Sequence, residues 1–449
     1  MHWRGQLGTG LIWQLQVARH CALATMALSS RQLGQRDQRM KREHIVDQIK
    51  DEGKSIIIDQ VKGFVREGIS QILIGSGLSL TLRSLGAMVL GSSERPPFLI
   101  KKRRSRFLIE DPDFAVQQYS AEKPISPHIP YVELANFSKL LAKGKKPRIE
   151  LEIKRDRFQL RRWDNEETDW LVDSAVGALK QENRLTRDSA VVRVSEVKPT
   201  KEGCVLVIQE ARYKDQAMSN LILDFDELPN GQKSDETIRA QLLKEYGSRL
   251  PPLNDDRLVN SLGCAVLVFY ELDGKLVPLQ VMRSVDTAVF NGGGWHCTAS
   301  GAAEWPKDPR STEDSFQAYI EDDIYRELRD EVGFPPGSVK LELVGVCREL
   351  MRGGKPQLFF IGFSEQAPEK IAKQMEAARL EQIRARNEVK FAEPVEVLRH
   401  PYLHEAREFK GKDHLEASAL KLGFTAEATA CLYYFFDMMN AAEHEFETW

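Results

Sequence analysis

The sequence predicts a mixed α/β protein, and three kinds of observation predict it. Short apolar runs that suit buried strands recur in the C-terminal half of the chain. Between them lie segments with an apolar residue at every third or fourth position, which is helical spacing. The composition is that of a globular protein, because 42% of the 449 residues are hydrophobic and 29% are charged. We therefore expect helices packed on mixed sheets.

The chain divides into three predicted segments. Residues 1–107 form a helical N-terminal unit that ends in a basic run. Residues 108–255 form a mixed α/β accessory region, with strand-like alternation at 148–160 and a helix at 237–246. The third segment, 256–449, is the predicted catalytic domain, because the residues with recognisable chemistry fall in it.

A run of twenty mostly apolar residues, 72–91, lies in the N-terminal unit. Arg83 is its only charge, and a basic stretch follows it up to Arg106. Apolar length with a basic flank is typical of a membrane span, so contact with a membrane through 72–106 is one prediction. A central arginine is costly inside a bilayer, and the alternative is a buried or surface-lying helix.

The charge balance and the cysteines exclude several classes of function. With 63 basic and 66 acidic residues the net charge is −3, so we expect no specific binding of nucleic acid. None of the six cysteines forms a CxxC pair or a Cys/His cluster with zinc spacing. A reducing, cytoplasmic setting fits this usage. The sequence does not fix the oligomeric state.

Strands and helices alternate in the third segment. Its elements are predicted as strands at 262–270 and 276–282, a glycine-rich stretch at 291–294, a helix at 314–332, strands at 341–346 and 357–363, and a helix at 426–440. The residues 352–355, between the last two strands, are interpreted as a hairpin turn in preference to a phosphate-binding loop.

The helix predicted at 314–332 carries clustered carboxylates. One face is apolar, through Phe316, Ile320, Ile324 and Leu328, and another collects Asp323, Glu327, Asp330 and Glu331. Acidic clusters on helices are commonly solvated faces, which is the alternative here. A cation would offset the repulsion between these groups, and ligands that are all oxygen favour Mg²⁺ or Mn²⁺.

The stretch 326–334, RELRDEVGF, resembles the second half of the Nudix box, G-x5-E-x7-R-E-U-x-E-E-x-G-U, where U is aliphatic. Asp330 replaces a glutamate of that pattern and keeps a carboxylate. The resemblance implies a Nudix-like α/β/α sandwich with a mixed sheet. It also implies that Glu327, Asp330 and Glu331 bind Mg²⁺ or Mn²⁺ and activate water to cleave a diphosphate linkage.

The early part of the box departs from the pattern. Ala318 stands where a glutamate is expected and Thr312 where a glycine is expected. Gly301 and Glu304 lie further upstream and resemble a relocated glycine and glutamate of divergent Nudix members that hydrolyse nucleotide sugars. They and Arg326 are therefore predicted to take part in binding. The partner of Arg326 is Glu304 or Asp322, and a later carboxylate ligand is sought among Glu388, Glu393 and Glu396.

The first functional hypothesis is a metal-dependent hydrolase of a nucleoside diphosphate linked to another group, such as a nucleotide sugar. The second is a nucleotide-sensing domain that binds such a ligand without turnover and regulates the N-terminal unit. The third is a membrane-tethered scaffold, which rests on residues 72–106 alone. The first two imply a small nucleotide as the partner molecule.

Overall fold

The computed structural model describes residues 105–182, 184–185, 188–272, 275–282, 294–306, 315–389, 396–399 and 424–447. All of them fall within one compact unit, Ile74–Trp449. The helical unit predicted at 1–107, with its apolar run at 72–91, lies almost wholly outside the described residues. Among the helices that are described, none combines the length and the apolar character needed to cross a membrane.

The described strands form two sheets. In chain order the strands are β1 (Pro124–Ser126), β2 (Ile129–Asn136), β3 (Arg148–Lys154), β4 (Ala190–Pro199), β5 (Gly203–Arg212), β6 (Gly263–Leu272), β7 (Lys275–Met282), β8 (Trp295–His296), β9 (Ala299–Ala302), β10 (Lys340–Glu349), β11 (Lys355–Ser364) and β12 (Glu396–Arg399). The large sheet has the order β1-β2-β10-β11-β6-β7-β12, with β9 paired to β6 and β8 to β7. The small sheet has the order β3-β5-β4.

Helices cover the large sheet on both faces. The described helices are α1 (Pro112–Gln118), α2 (Ser138–Ala142), α3 (Glu166–Gln181), α4 (Tyr213–Ala217), α5 (Ile238–Tyr246), α6 (Asp322–Val332), α7 (Pro368–Val389) and α8 (Ala426–Glu447). Both sheets are mixed, because β11 pairs with β6 and β3 with β5 in parallel, whereas the other pairs are antiparallel. The mixed α and β fold class is thus confirmed.

Strand β6 runs through the middle of the core. Its side chains alternate between the two faces of the sheet: Ala265 and Leu267 pack in the cluster that includes α8, whereas Val266 and Val268 pack in the cluster that includes α6 and α7. Burial on both sides explains why this strand is a nearly continuous apolar run in the sequence.

Strand β2 joins the two segments that the sequence divides at residue 256. It lies antiparallel to β10, with Asn136 opposite Gly345 and Tyr131 opposite Glu349. Buried residues from both segments also share one core, for example Tyr131 and Phe359, whose rings meet edge to face. In the described structure, 108–255 and 256–449 therefore fold together, because a sheet that spans both has no break at the predicted boundary.

Candidate functional site

Helix α6 carries the predicted metal ligands and is fixed by its apolar side. Ile324 and Leu328 are buried against the large sheet. The sequence predicts one helix from 314 to 332, but the described part starts with a π-helical turn, Gln317–Glu321, before α6 begins. Single π-helical turns are frequent at functional sites. Ala318, where the box pattern expects a glutamate, lies in this turn.

Arg326 binds two carboxylates in front of α6. Its Nη1 donates to Glu304 Oε2 at 2.7 Å, and its Nη2 donates to Asp323. Glu304 is thus the upstream partner, as one of the two predictions had it. The other prediction, Asp322, is wrong: Asp322 is exposed, and Asp323, three residues before Arg326, occupies that place. Spacing along the helix does not choose between Asp322 and Asp323, since residues three and four positions before Arg326 can both reach it.

Gly301 lies directly against the carboxylate of Glu327. A Cβ added to Gly301 would lie 3.2 Å from both Cδ and Oε1 of Glu327, which is tighter than nine in ten real Cβ contacts. Gly301 sits in β9, opposite Cys264 of β6. The sheet therefore holds this backbone against α6, and the absent side chain gives Glu327 its space. Gly301, Glu304, Arg326 and Glu327, all predicted site residues, come together here.

Strand β4 of the small sheet borders the same loop. The Val192 amide donates to Ala303 O at 2.9 Å, and the Trp305 amide donates to Ala190 O at 3.0 Å. These two bonds flank Glu304 on either side. The region predicted to be accessory thus supplies part of the site's framework, which no pattern in residues 108–255 indicates.

Burial and crowding make the carboxyls of the site hard to ionise. Burial and, after it, the neighbouring Asp323 raise the pKa of Glu327 to about 7, against the opposing effect of Arg326. The pKa of Asp323 is raised to about 6, because the effect of burial outweighs the opposing effect of Arg326. Two carboxyls that resist ionisation side by side suit a cation, which would favour their charged forms.

The other two predicted ligands on α6 are Glu331 and Asp330, and both are at least partly exposed to solvent. Glu331 is half-buried, four residues after Glu327 on the same side of α6. Asp330 is 57% exposed, and its Oδ1 accepts a bond from Arg329 Nε at 2.9 Å. In the described parts of the chain, no three His, Cys, Asp or Glu side chains are grouped so that they could hold a metal ion.

The later carboxylates proposed as a further ligand stay predictions. Glu393 lies outside the described residues. Glu388 belongs to α7 and Glu396 to β12, but their side chains are not among those described. The chemistry of the donors fits Mg²⁺ or Mn²⁺, because all are carboxylates. To bind the cation, the Asp330 carboxylate would have to give up its hydrogen bond from Arg329.

The opposite face of the large sheet contains a buried charged network that sequence reasoning missed. Arg352 donates to Glu349 at 2.6 Å and to Glu427, in the first turn of α8, at 2.7 Å. Glu427 lies 3.2 Å from His296, whose Nε2 is 2.6 Å from Ser300 Oγ, next to Gly301. The network therefore reaches the strand that carries Gly301. Sequence reasoning missed this network because charged residues beside a predicted hairpin turn, such as Glu349 and Arg352, are expected to be exposed.

Lys355 belongs to the same buried region. The residues 352–355 form the hairpin that joins β10 and β11, as predicted. The Lys355 ammonium is buried and donates to Gln357 Oε1 at 3.3 Å. No carboxylate of the described residues lies within ion-pair distance of it.

Comparisons with known proteins give only distant likenesses. No protein-family profile and no curated protein matches the chain. Among solved structures, it is similar to an Ap4A hydrolase of C. elegans, with 12% identity and a TM-score of 0.22, over 40% of this chain and 98% of that one. It is also similar to the Nudix hydrolase RenU of M. smegmatis, with 13% identity and a TM-score of 0.17, over 29% and 88% of the two chains. Likenesses this weak carry no argument about function.

Proposed function

We propose that the chain is a metal-dependent hydrolase that cleaves the diphosphate linkage of a nucleoside diphosphate joined to another group, such as a nucleotide sugar. One observation carries the proposal. The carboxylate of Glu327 is pressed against the bare backbone of Gly301, while Arg326 beside it is anchored to Glu304. The residues that resemble the two separated parts of the Nudix box meet in space, although 22 positions separate Glu304 from Arg326.

Each residue has a role in this proposal. Glu327 and Glu331, with Asp330, would hold Mg²⁺ or Mn²⁺. When bound, such a cation neutralises diphosphate oxygens and lowers the pKa of water. Gly301 leaves room for Glu327 because it has no side chain. Arg326 keeps the helix and the loop in place. A carboxylate of this group orients the attacking water and accepts its proton.

The first experiment measures product release from a panel of UDP-sugars, ADP-ribose, dinucleotides and nucleoside triphosphates, with Mg²⁺ or Mn²⁺. Wild type is compared with Glu327→Gln and Glu331→Gln. We expect turnover in wild type and its loss, by at least about 100-fold, in both variants, since each removes a charged ligand. Asp322→Asn is the matched control, because Asp322 is an exposed carboxylate on the same helix. No turnover in wild type with any compound would contradict the proposal.

A second candidate is a nucleotide-sensing domain that binds without turnover and regulates the N-terminal unit. The pairing of Asp330 with Arg329 favours it, because that carboxylate is directed to a neighbour on the helix surface. The same panel separates the two. A compound that raises the melting temperature but is recovered intact would support sensing.

A further inference from the structure

Asp323 accepts hydrogen bonds from both sides of the cleft between α6 and the loop after β9. One carboxylate oxygen accepts from Arg326, and the other accepts from the backbone N–H of Glu304 at 3.1 Å. Only 9% of its side chain is exposed. Since Arg326 also donates to the Glu304 side chain, the three residues form a closed ring.

The ring fixes the loop from the inside, and strand β4 fixes it from the outside. The bonds from β4 to Ala303 and Trp305 flank Glu304, and the Glu304 amide itself points to Asp323. A segment held on both sides has little freedom to move. This loop directly follows β9, whose Gly301 lies against the Glu327 carboxylate. The distance between this loop and Glu327 therefore depends on the bonds of Asp323 to Arg326 and to the Glu304 amide.

Asp323 also stands in for a missing group. Position 318, where the box pattern has a glutamate, is an alanine in the π-helical turn. The anchoring charge here comes from two other residues, Glu304 on the loop and Asp323 on the helix. Asp323 alone among them bonds both the arginine side chain and the loop backbone.

We propose that Asp323 is a positioning residue of the site, which holds Glu304 and the loop after β9 at a fixed distance from the Glu327 carboxylate. It acts through Arg326 and through the Glu304 amide and does not itself bind the substrate. The catalytic part of this inference rests on the hydrolase proposed above. The structural part, that Asp323 holds the loop, does not.

Two substitutions in the full chain separate its two bonds. Asp323→Ala removes both. Asp323→Asn retains an amide oxygen that can accept from the Glu304 N–H, but it loses the charge that binds Arg326. Asp322→Ala and Asp322→Asn are the matched controls one position away, at an exposed carboxylate. Two experiments are made. Steady-state kinetics give kcat and KM for the compound that is turned over fastest, and hydrogen exchange gives the protection of the Glu304 amide.

For Asp323→Ala we expect a fall in kcat of about 10- to 100-fold, which is what small errors in positioning cost, with KM changed less than about threefold. Exchange of the Glu304 amide should be faster than in wild type. Asp323→Asn should fall between Asp323→Ala and wild type in kcat and keep most of the amide protection. If Asp323→Ala does not fold, Asp323→Asn alone is compared with wild type. The Asp322 variants should match wild type in both measurements.

Wild-type kcat and wild-type exchange in Asp323→Ala would overturn the inference. So would an equal effect of the Asp322 variants, because a role in charge or helix stability alone does not distinguish the two positions. If wild type turns over nothing, the hydrolase proposal fails. The exchange of the Glu304 amide then still decides whether Asp323 holds the loop.

Discussion

Lys355 is a buried amine beside a buried guanidinium, Arg352. Burial and, after it, the charge of Arg352 lower the pKa of Lys355 to about 7, although Glu349 and Glu427 oppose this. An exposed lysine in the unfolded chain titrates near 10.4. Between about pH 7 and 10 the unfolded chain thus binds a proton that the folded chain lacks. Lys355 destabilises the fold in full below pH 7, and the effect disappears as the pH rises towards 10.

We therefore predict that Lys355→Met raises the free energy of unfolding at pH 7, because methionine fills similar volume without an ionisable group. The gain should shrink steadily between pH 7 and 9.5. Urea unfolding at several pH values measures it, and the difference from wild type removes the contributions of other groups. Lys340→Met, at an exposed lysine of β10, is the control. A gain of the same size at pH 7 and pH 9.5 would refute the prediction.

Among single residues, the box resemblance correctly anticipated that Glu304 holds Arg326, and the structure brings Gly301 and Glu327 together with them. It missed Asp323 as a partner of Arg326, because Asp322 and Asp323 both lie within helical reach of Arg326. Only the phase of the helix, set by which side chains the core buries, decides which carboxylate faces Arg326. The metal-binding roles of Glu327, Asp330 and Glu331 stay predictions.

At the scale of elements, the end of α6 depends on a glycine for two separate reasons. Gly333 has φ +78°, a left-handed conformation that disfavours other residues. A Cβ there would also lie 2.4 Å from the backbone oxygen of Gln374 in α7. Gly337, four residues later, has φ +76° but open space around its missing Cβ. Both glycines have a left-handed backbone conformation, but only Gly333 also has a neighbouring backbone in the place of a Cβ.

This pair gives a controlled prediction. Gly337→Ala should cost only the left-handed conformation, about 1–2 kcal/mol of the free energy of unfolding. Gly333→Ala should cost clearly more, since α7 must move away from α6 as well. Chemical denaturation of both variants measures the difference. Equal losses in the two would show that the close approach of α7 contributes nothing.

Among the elements, strands such as β6 are predictable because burial on both faces leaves a continuous apolar run. The π-helical turn before α6 is not, since Phe316, Ile320 and Ile324 keep a spacing of four through it, which is also the spacing of an α-helix. The pairing of β2 with β10 is also invisible in the sequence. Long-range pairs are decided by side-chain packing between segments that share no local signal.

At the scale of the whole molecule, the described chain folds as one unit across residue 256. We predict that a fragment of residues 256–449 shows no cooperative thermal unfolding and poor solubility. It lacks β2, so the edge of β10 is unpaired, and it lacks the strand β4 that borders the Glu304 loop. Circular dichroism melting would measure this.

The control is the fragment 74–449, which retains the whole compact unit and should unfold cooperatively. A monomeric 256–449 fragment with a sharp melting transition would show that the sequence boundary is also a folding boundary. The sequence placed that boundary where the chemistry-bearing motifs begin. Composition and motif density do not report which strands share a sheet, so the boundary at 256 stays a prediction that these two fragments test.

The partnership of β2 and β10 has a consequence for how the chain is made. A ribosome releases Ile129–Asn136 roughly 200 residues before its partner Lys340–Glu349, a delay of about 10–40 s at ordinary elongation rates. During that time β1 is the only one of its described sheet partners that has already been synthesised. The nascent chain thus presents a strand with one open edge while synthesis continues. Factors that shield such edges during translation would govern how much protein reaches the native state.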